Sequence, residues 1–161
     1  MIAENTAENY AYENSVRVNV APSAVYEALT SAEHLQRWLM SRTETDPRPG
    51  GAFTFAWEFA DEAQNGSQQG RFVELEPGKR VSYTWQARPA PAPLTLVTFT
   101  LISEANGTRV NLAHTGFGEG ESGQAALNRH SGPWDFYMTN LKTYLEDGVD
   151  NRAALLKQKT L

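Results

Sequence analysis

The chain has 161 residues, of which 40% are hydrophobic and 20% charged, with a formal net charge of −5 and no cysteine. That length holds one well-cored domain rather than two, and the acidic balance without a basic stripe sets aside nucleic acid and anionic membranes as partners. The lack of cysteine removes disulfides, thiolate catalysis and cysteine–zinc sites; no run of about 18 apolar residues is present to span a membrane, and the N-terminal MIAENTAENYAYENS lacks the basic and apolar regions of a secretory signal, so a cytoplasmic location is expected.

Residues 1–14 are polar and acidic and read as a flexible N-terminal segment. From Ser15 to Val20 the chain alternates, with Val16, Val18 and Val20 on one side and Arg17 and Asn19 on the other, which predicts a half-buried strand. Pro22 opens a short helix that turns Val25, Ala28 and Leu29 inward, and Ser31 caps a second, AEHLQRWLM, that turns Leu35, Trp38 and Leu39 inward. A turn-rich entry, Asp46 to Gly51, leads into AFTFAWEFA, where Phe53, Phe55, Trp57 and Phe59 share a face. A polar loop, DEAQNGSQQ, joins this to the strand GRFVELE. Pro77-Gly78 fits a type II turn into the strand RVSYTWQA.

The stretch Ala87 to Pro93 is too rich in proline for a sheet interior and reads as a loop. LTLVTFTLIS is the longest strand, and Asn106-Gly107 is the strongest hairpin signal, leading into TRVNLAHT, where Val110, Leu112 and His114 share a face. GFGEGESGQ reads as a flexible connection. The last helix is expected from Pro133, suited to a first helical position, to a stop at Gly148. Trp134, Met138, Leu141 and Leu145 form its apolar stripe, with Tyr137 and Tyr144 at the flanks.

The order is therefore β-α-α-β-β-β-β-β-α. Short turns between consecutive strands make an antiparallel meander. The expected fold class is α+β, a helix-grip. A curved antiparallel six-stranded sheet wraps around a long C-terminal helix, with two short helices between strands 1 and 2. One domain spans 15–148, and 149–161 is a C-terminal tail that extends the helix weakly or frays.

Four stretches in this spacing resemble a known family: VNVAPSAVYEALTSAEHLQRWL at 18–39, DPRPGGAFTF at 46–55, GRFVELEPGKRVSYTWQ at 70–86, and HTGFGEG with GPWDFYMTNLKTYL further on. The resemblance is to the START-like (SRPBCC) superfamily and its Bet v-like helix-grip. Within it, the chain is most similar to the branch named after the activator of heat-shock-protein-90 ATPase. The resemblance implies a cavity for an apolar ligand between the sheet and the last helix. The branch name adds a chaperone contact. The superfamily includes lipid carriers, hormone receptors, polyketide cyclases and antibiotic-sequestering proteins, so fold alone does not choose a function.

The candidate ligand-binding residues are the aromatic set Phe53, Phe55, Trp57, Phe72, Tyr83, Trp85, Phe99 and Trp134, joined by Trp38, His114, Phe117, Met138 and Leu141. Ligand sites are concave and mostly apolar, with a few placed polar groups; the plainer reading is that these side chains fill a core. His114 points inward and is either a ligand anchor, an acid/base, or a structural imidazole bonded to a carbonyl or a tyrosine. His130 reads as a surface residue or as one at the cavity mouth, and His34 as exposed. The three histidines lack zinc-binding spacing, so neither a metal nor a cofactor is expected.

The glycines of 116–120 lack the strand–helix setting of a phosphate loop, and no GxSxG nucleophile is present. The leading expectation is non-catalytic binding of a small hydrophobic or aromatic ligand by a monomer or homodimer. The alternatives are a cavity-based cyclase, hydratase or lyase using His114 or Tyr83 as acid or base, and a chaperone co-factor or stress-response interaction protein.

Overall fold

The computed structural model describes residues 10–86 and 94–152. The expectations for the start of the N-terminal segment, the proline-rich loop at 87–93 and the tail beyond residue 152 lie outside the described residues.

Strand β1 (Tyr12–Val18) is followed by helices α1 (Pro22–Thr30) and α2 (Ala32–Trp38). Strands β2 (Arg42–Thr45) and β3 (Ala52–Trp57) come next, then a 3-10 turn at Glu62–Gln64. Strands β4 (Gly66–Glu76), β5 (Arg80–Gln86), β6 (Leu94–Glu104) and β7 (Gly107–Thr115) lead to helix α3 (Gly120–Asp147). The sheet is antiparallel throughout, in the order β1-β7-β6-β5-β4-β3-β2. This is the expected α+β helix-grip, with an open sheet and a long C-terminal helix.

The turns behave as their residues dictate. Lys79 donates its N–H to the Glu76 carbonyl at 2.9 Å across Pro77-Gly78, and Gly78 takes a φ of +74°. That left-handed conformation is free of steric cost only without a Cβ. Between β6 and β7 the register Glu104↔Gly107 leaves Ala105 and Asn106 at the tip, with Asn106 at φ 59°.

Four expectations are corrected. Among the described residues the sheet has seven strands, not six. The additional strand, β2, is the short edge segment RTET; it pairs with β3 from Arg42↔Ala56 to Thr45↔Phe53 and buries only Thr43. Backbone hydrogen bonding to β3, rather than an alternating apolar face, makes it a strand, so periodicity does not reveal it. Strand β4 begins at Gly66, inside the segment read as a polar loop, and β1 begins at Tyr12, ahead of Ser15. Helix α3 begins at Gly120, more than three turns before Pro133, which lies inside it.

The core lies between the inner sheet face, α3 and the two short helices. Phe53, Phe55, Phe72, Tyr83, Trp85, Val97, Phe99, Val110 and Leu112 come from the strands, and Val25, Leu29, Leu35 and Trp38 from α1 and α2. From α3 come Trp134, Tyr137, Met138 and Leu141. The aromatics interlock: Phe53 lies 4.5 Å from Phe55, 5.3 Å from Phe72 and 4.7 Å from Tyr83, centroid to centroid. Those separations are normal for packed aromatic pairs. Gly70 admits this packing, because a Cβ there would sit 2.1 Å from the Thr84 carbonyl oxygen and 2.8 Å from the Phe53 ring.

Candidate functional site

Most of the thirteen candidate residues fill the core. Phe53, Phe55, Phe72, Tyr83, Phe99, Met138 and Leu141 are buried among one another. Trp38 is buried beneath α1, its Nε1–H donating to the Ala28 carbonyl at 2.8 Å. Trp57, Trp85 and Trp134 have a different setting. They line a recess of about 260 Å³ at one end of the sheet, between β3, β4 and β5 and the middle of α3. Leu39, Phe59, Gln68, Arg129, His130, Pro133 and Tyr137 complete its walls. Larger depressions of about 410–470 Å³ occur elsewhere on the molecule, lined mainly by polar side chains such as Asn14, Thr98, Asn111, Gln69 and Gln124. Among these four, which are formed by described residues, the aromatic recess combines an apolar wall with a few polar groups.

Trp85 is the hub of that wall. Its ring lies 5.6 Å from both Trp57 and Trp134, and 4.7 Å from Phe55. Trp57 is held by an Nε1–H bond to the Leu39 carbonyl at 2.8 Å. Two polar atoms on recess residues are buried with no hydrogen-bond partner among the described residues: Trp85 Nε1 and Gln68 Oε1. Buried polar groups in native proteins almost always have partners, so two unpaired ones in one recess require an explanation.

His114 is fully buried, at 0% exposure, behind the tryptophan wall. Trp134 Nε1–H donates to its Nδ1 at 2.9 Å. An indole nitrogen only donates, so Nδ1 is unprotonated and Nε2 carries the hydrogen. Nε2–H donates to Thr95 Oγ1 at 2.7 Å, and the Thr95 hydroxyl donates to the Trp85 carbonyl at 2.7 Å. Burial first, and the neighbouring His130 second, lower its pKa to about 3. The ring is therefore neutral at pH 7 with both nitrogens occupied. Its partners are a tryptophan and a threonine, where the sequence suggested a carbonyl or a tyrosine. Phe117 packs on it with centroids 4.5 Å apart.

His130 lies inside α3, half-buried in the recess wall, rather than at a helix start or on a surface loop. Its Nδ1 donates to the Ala126 carbonyl at 2.7 Å, and burial lowers its pKa. Its i, i+4 backbone bond depends on α3 extending upstream of Pro133, so a helix starting at Pro133 could not reveal its place. His34 is half-buried rather than exposed, with Nδ1 2.6 Å from the Tyr144 hydroxyl, because α2 packs on α3. Tyr83 is buried, and desolvation raises its pKa. Among the described residues no cluster of His, Cys, Asp or Glu could hold a metal, and no helix is long and apolar enough to cross a membrane.

Comparison with known proteins places these features in context. The family model described as activator of Hsp90 ATPase homolog 1-like protein matches residues 19–146. No curated protein matches the chain. A crystal structure of a Mesorhizobium loti protein is similar at 26% identity and a TM-score of 0.74, covering 88% of this chain and 99% of the other. The solution structure of the Aha1 dimer from Colwellia psychrerythraea is similar at 24% identity and a TM-score of 0.67, covering 86% and 98%. DynU16, a protein of the dynemicin biosynthetic locus, is similar at 22% identity and a TM-score of 0.72, covering 89% of this chain and 50% of the other. The last two likenesses concern the fold.

Proposed function

Since the chain belongs to the activator of Hsp90 ATPase homolog 1-like family, we propose that it is a non-catalytic binder of a small, uncharged, ring-bearing molecule held between the sheet and α3. The observation that carries this reading is the recess walled by Trp57, Trp85 and Trp134. Its volume of about 260 Å³ lies just below the ~300–1,000 Å³ of ordinary ligand sites, a size for one or two rings rather than a lipid chain. The site residues of this proposal are those recess residues, with the remaining core aromatics as their support.

Two further observations favour binding over catalysis and over protein contact. A general base needs a free nitrogen and a pKa near the working pH, whereas His114 has both nitrogens engaged and a pKa of about 3. A chaperone-docking face needs a contiguous apolar patch. The large apolar side chains exposed among the described residues, Val73, Leu94, Ile102 and Val149, lie apart, with Leu94 and Ile102 at opposite ends of β6.

Three of the four tryptophans line the recess, so intrinsic fluorescence reports its occupancy directly. Titration with a neutral two-ring aromatic should change tryptophan emission saturably. Gln68→Trp, which fills the recess from a half-buried strand position, should abolish the change while the variant keeps a cooperative melt. Solvent extraction of the purified protein followed by mass spectrometry should return a neutral ring compound. An unchanged emission with every such probe, together with an empty extract, would refute the proposal.

A further inference from the structure

The polar atoms of the recess specify more than apolar binding. Trp85 is 5% exposed, and its Nε1–H has no acceptor among the described residues. Gln68 Oε1 is likewise buried without a donor. The register Gln69↔Gln86 and Phe72↔Tyr83 puts Trp85 across from Gly70, two residues along from Gln68 on the same face of the β4–β5 pair. Diagonal neighbours of this kind sit roughly 7–8 Å apart at Cα, within reach of long side chains. One donor and one acceptor without partners among the described residues therefore belong to two side chains that line a single small space with aromatic walls.

We propose that the recess selects uncharged ring compounds whose one edge carries both a hydrogen-bond acceptor, for Trp85 Nε1–H, and a donor, for Gln68 Oε1; a lactam or hydroxy-ketone edge has this pattern. The inference rests on the binding function proposed above and adds the polar pattern of the ligand. Leaving either protein atom unpaired after burial costs free energy, and a ligand that pairs both recovers it. The same walls offer a charged ligand no buried counter-ion. No lining residue is acidic, so a cationic ligand finds no counter-ion. The Arg129 side chain is exposed, and His130 is held towards its neutral form by burial. A carboxylate edge would also face the Gln68 oxygen, an acceptor against an acceptor.

A matched series of bicyclic probes tests this by tryptophan fluorescence or calorimetry on the full chain. Carbostyril offers both a lactam N–H and a carbonyl; its N-methyl derivative keeps only the acceptor; naphthalene has neither; quinaldate is anionic. Carbostyril should bind at least about tenfold more tightly than the N-methyl derivative, and naphthalene and quinaldate more weakly still. Gln68→Met should erase the preference for carbostyril over its N-methyl derivative, and Trp85→Phe the preference of the N-methyl derivative over naphthalene, each read as a ratio of affinities within one variant, since both residues line the recess. If naphthalene or quinaldate binds as tightly as carbostyril to the unmodified protein, the polar selection is wrong while the binding function stands. If none of the four binds, the polar selection is wrong, and an empty solvent extract as well removes the binding function.

Discussion

A single imidazole shows how the fold removes titration from a titratable group. His114 accepts from Trp134 and donates to Thr95, and protonating it would turn the Trp134 contact into donor against donor. Its ordinary value of 6.5 falls to about 3, and burial lowers His130 as well. The unfolded chain therefore binds more protons than the native one between about pH 6.5 and 3, so stability is intact above pH 6.5 and is lost as pH falls through that window. His114→Gln cannot take up that proton. It should lower stability at pH 7 by about 1–3 kcal/mol through imperfect pairing, yet flatten the decline between pH 6.5 and 4 in urea melts. A slope equal to that of the unmodified protein would place the acid sensitivity elsewhere. Burial pushes Asp150 up but its hydrogen bonds from Arg152 and Asn140 lower it on balance, and the Lys142 hydrogen bond lowers Glu146; the stability they add is present above their ordinary values of 3.8 and 4.5 and is lost as pH falls below them. The inward phase of His114 was legible from Val110 and Leu112. Its partners were not, because Trp134 and Thr95 stand 20 and 19 residues away.

Helix α3 shows where local rules stop. Its C-terminus was readable: Gly148 takes φ 69° and donates to the Tyr144 carbonyl at 3.0 Å. Its N-terminus was not, because glycines at 116–123 and Pro133 each argue against a helix when taken alone. Tertiary contacts decide otherwise. Gly123 is buried where a Cβ would meet the Gly118 carbonyl oxygen at 2.3 Å and the Tyr10 ring at 3.0 Å, so the glycine permits this end to pack. Pro133 lacks an N–H for the Arg129 carbonyl four residues earlier, a loss of about 3 kcal/mol in an average helix interior. Proline recovers about 0.4–1 kcal/mol by restricting the unfolded chain. Pro133 is exposed at the recess edge, so Pro133→Ala has room to restore the bond. It should stabilise by about 2 kcal/mol, with a higher melting temperature and slightly stronger helical circular dichroism. A drop in melting temperature would show that the ring's packing in the recess wall outweighs the missing bond. The missed strand β2 is the same lesson in a sheet: with only Thr43 buried, its partner β3 defines it.

Across the whole molecule, periodicity and turn chemistry were enough for the α+β class, the meander and the covering helix, since these follow from which residues must leave water. They could not say which aromatics pack solidly and which border a space, because that depends on how three strands and a helix diverge at one end. Nor could they reveal the clasp that holds that end. After α3 the chain turns back, and Arg152, 2% exposed, donates to the Met40 carbonyl at 3.0 Å, the Gln36 carbonyl at 2.8 Å and both Asp150 oxygens at 2.9 and 3.0 Å. Asn140 on α3 completes the network, its Nδ2 reaching the Trp38 carbonyl at 2.8 Å and Asp150 at 3.0 Å, and its Oδ1 accepting from the Asn151 N–H at 2.7 Å. The clasp fixes the α2–β2 connection, and Leu39 within it both lines the recess and holds Trp57 through its carbonyl. Arg152→Ala would remove the counter-charge from a partly buried carboxylate, which keeps only neutral donors such as Asn140, and would take a donor from two carbonyls, which should cost about 3 kcal/mol in a denaturant melt. Asp150→Asn combined with Arg152→Met removes the charge on both sides and keeps the apolar stem, so it should cost clearly less than Arg152→Ala alone. Equal losses would mean that the arginine's hydrogen bonds to the Met40 and Gln36 carbonyls, lost in both variants, secure the connection rather than its stem or the pairing of its charge. Because Leu39 and Trp57 share the clasped segment, Arg152→Ala should also weaken binding of neutral ring probes under conditions where the variant remains folded. The double variant, with its stem in place, should bind them nearly as the unmodified protein does.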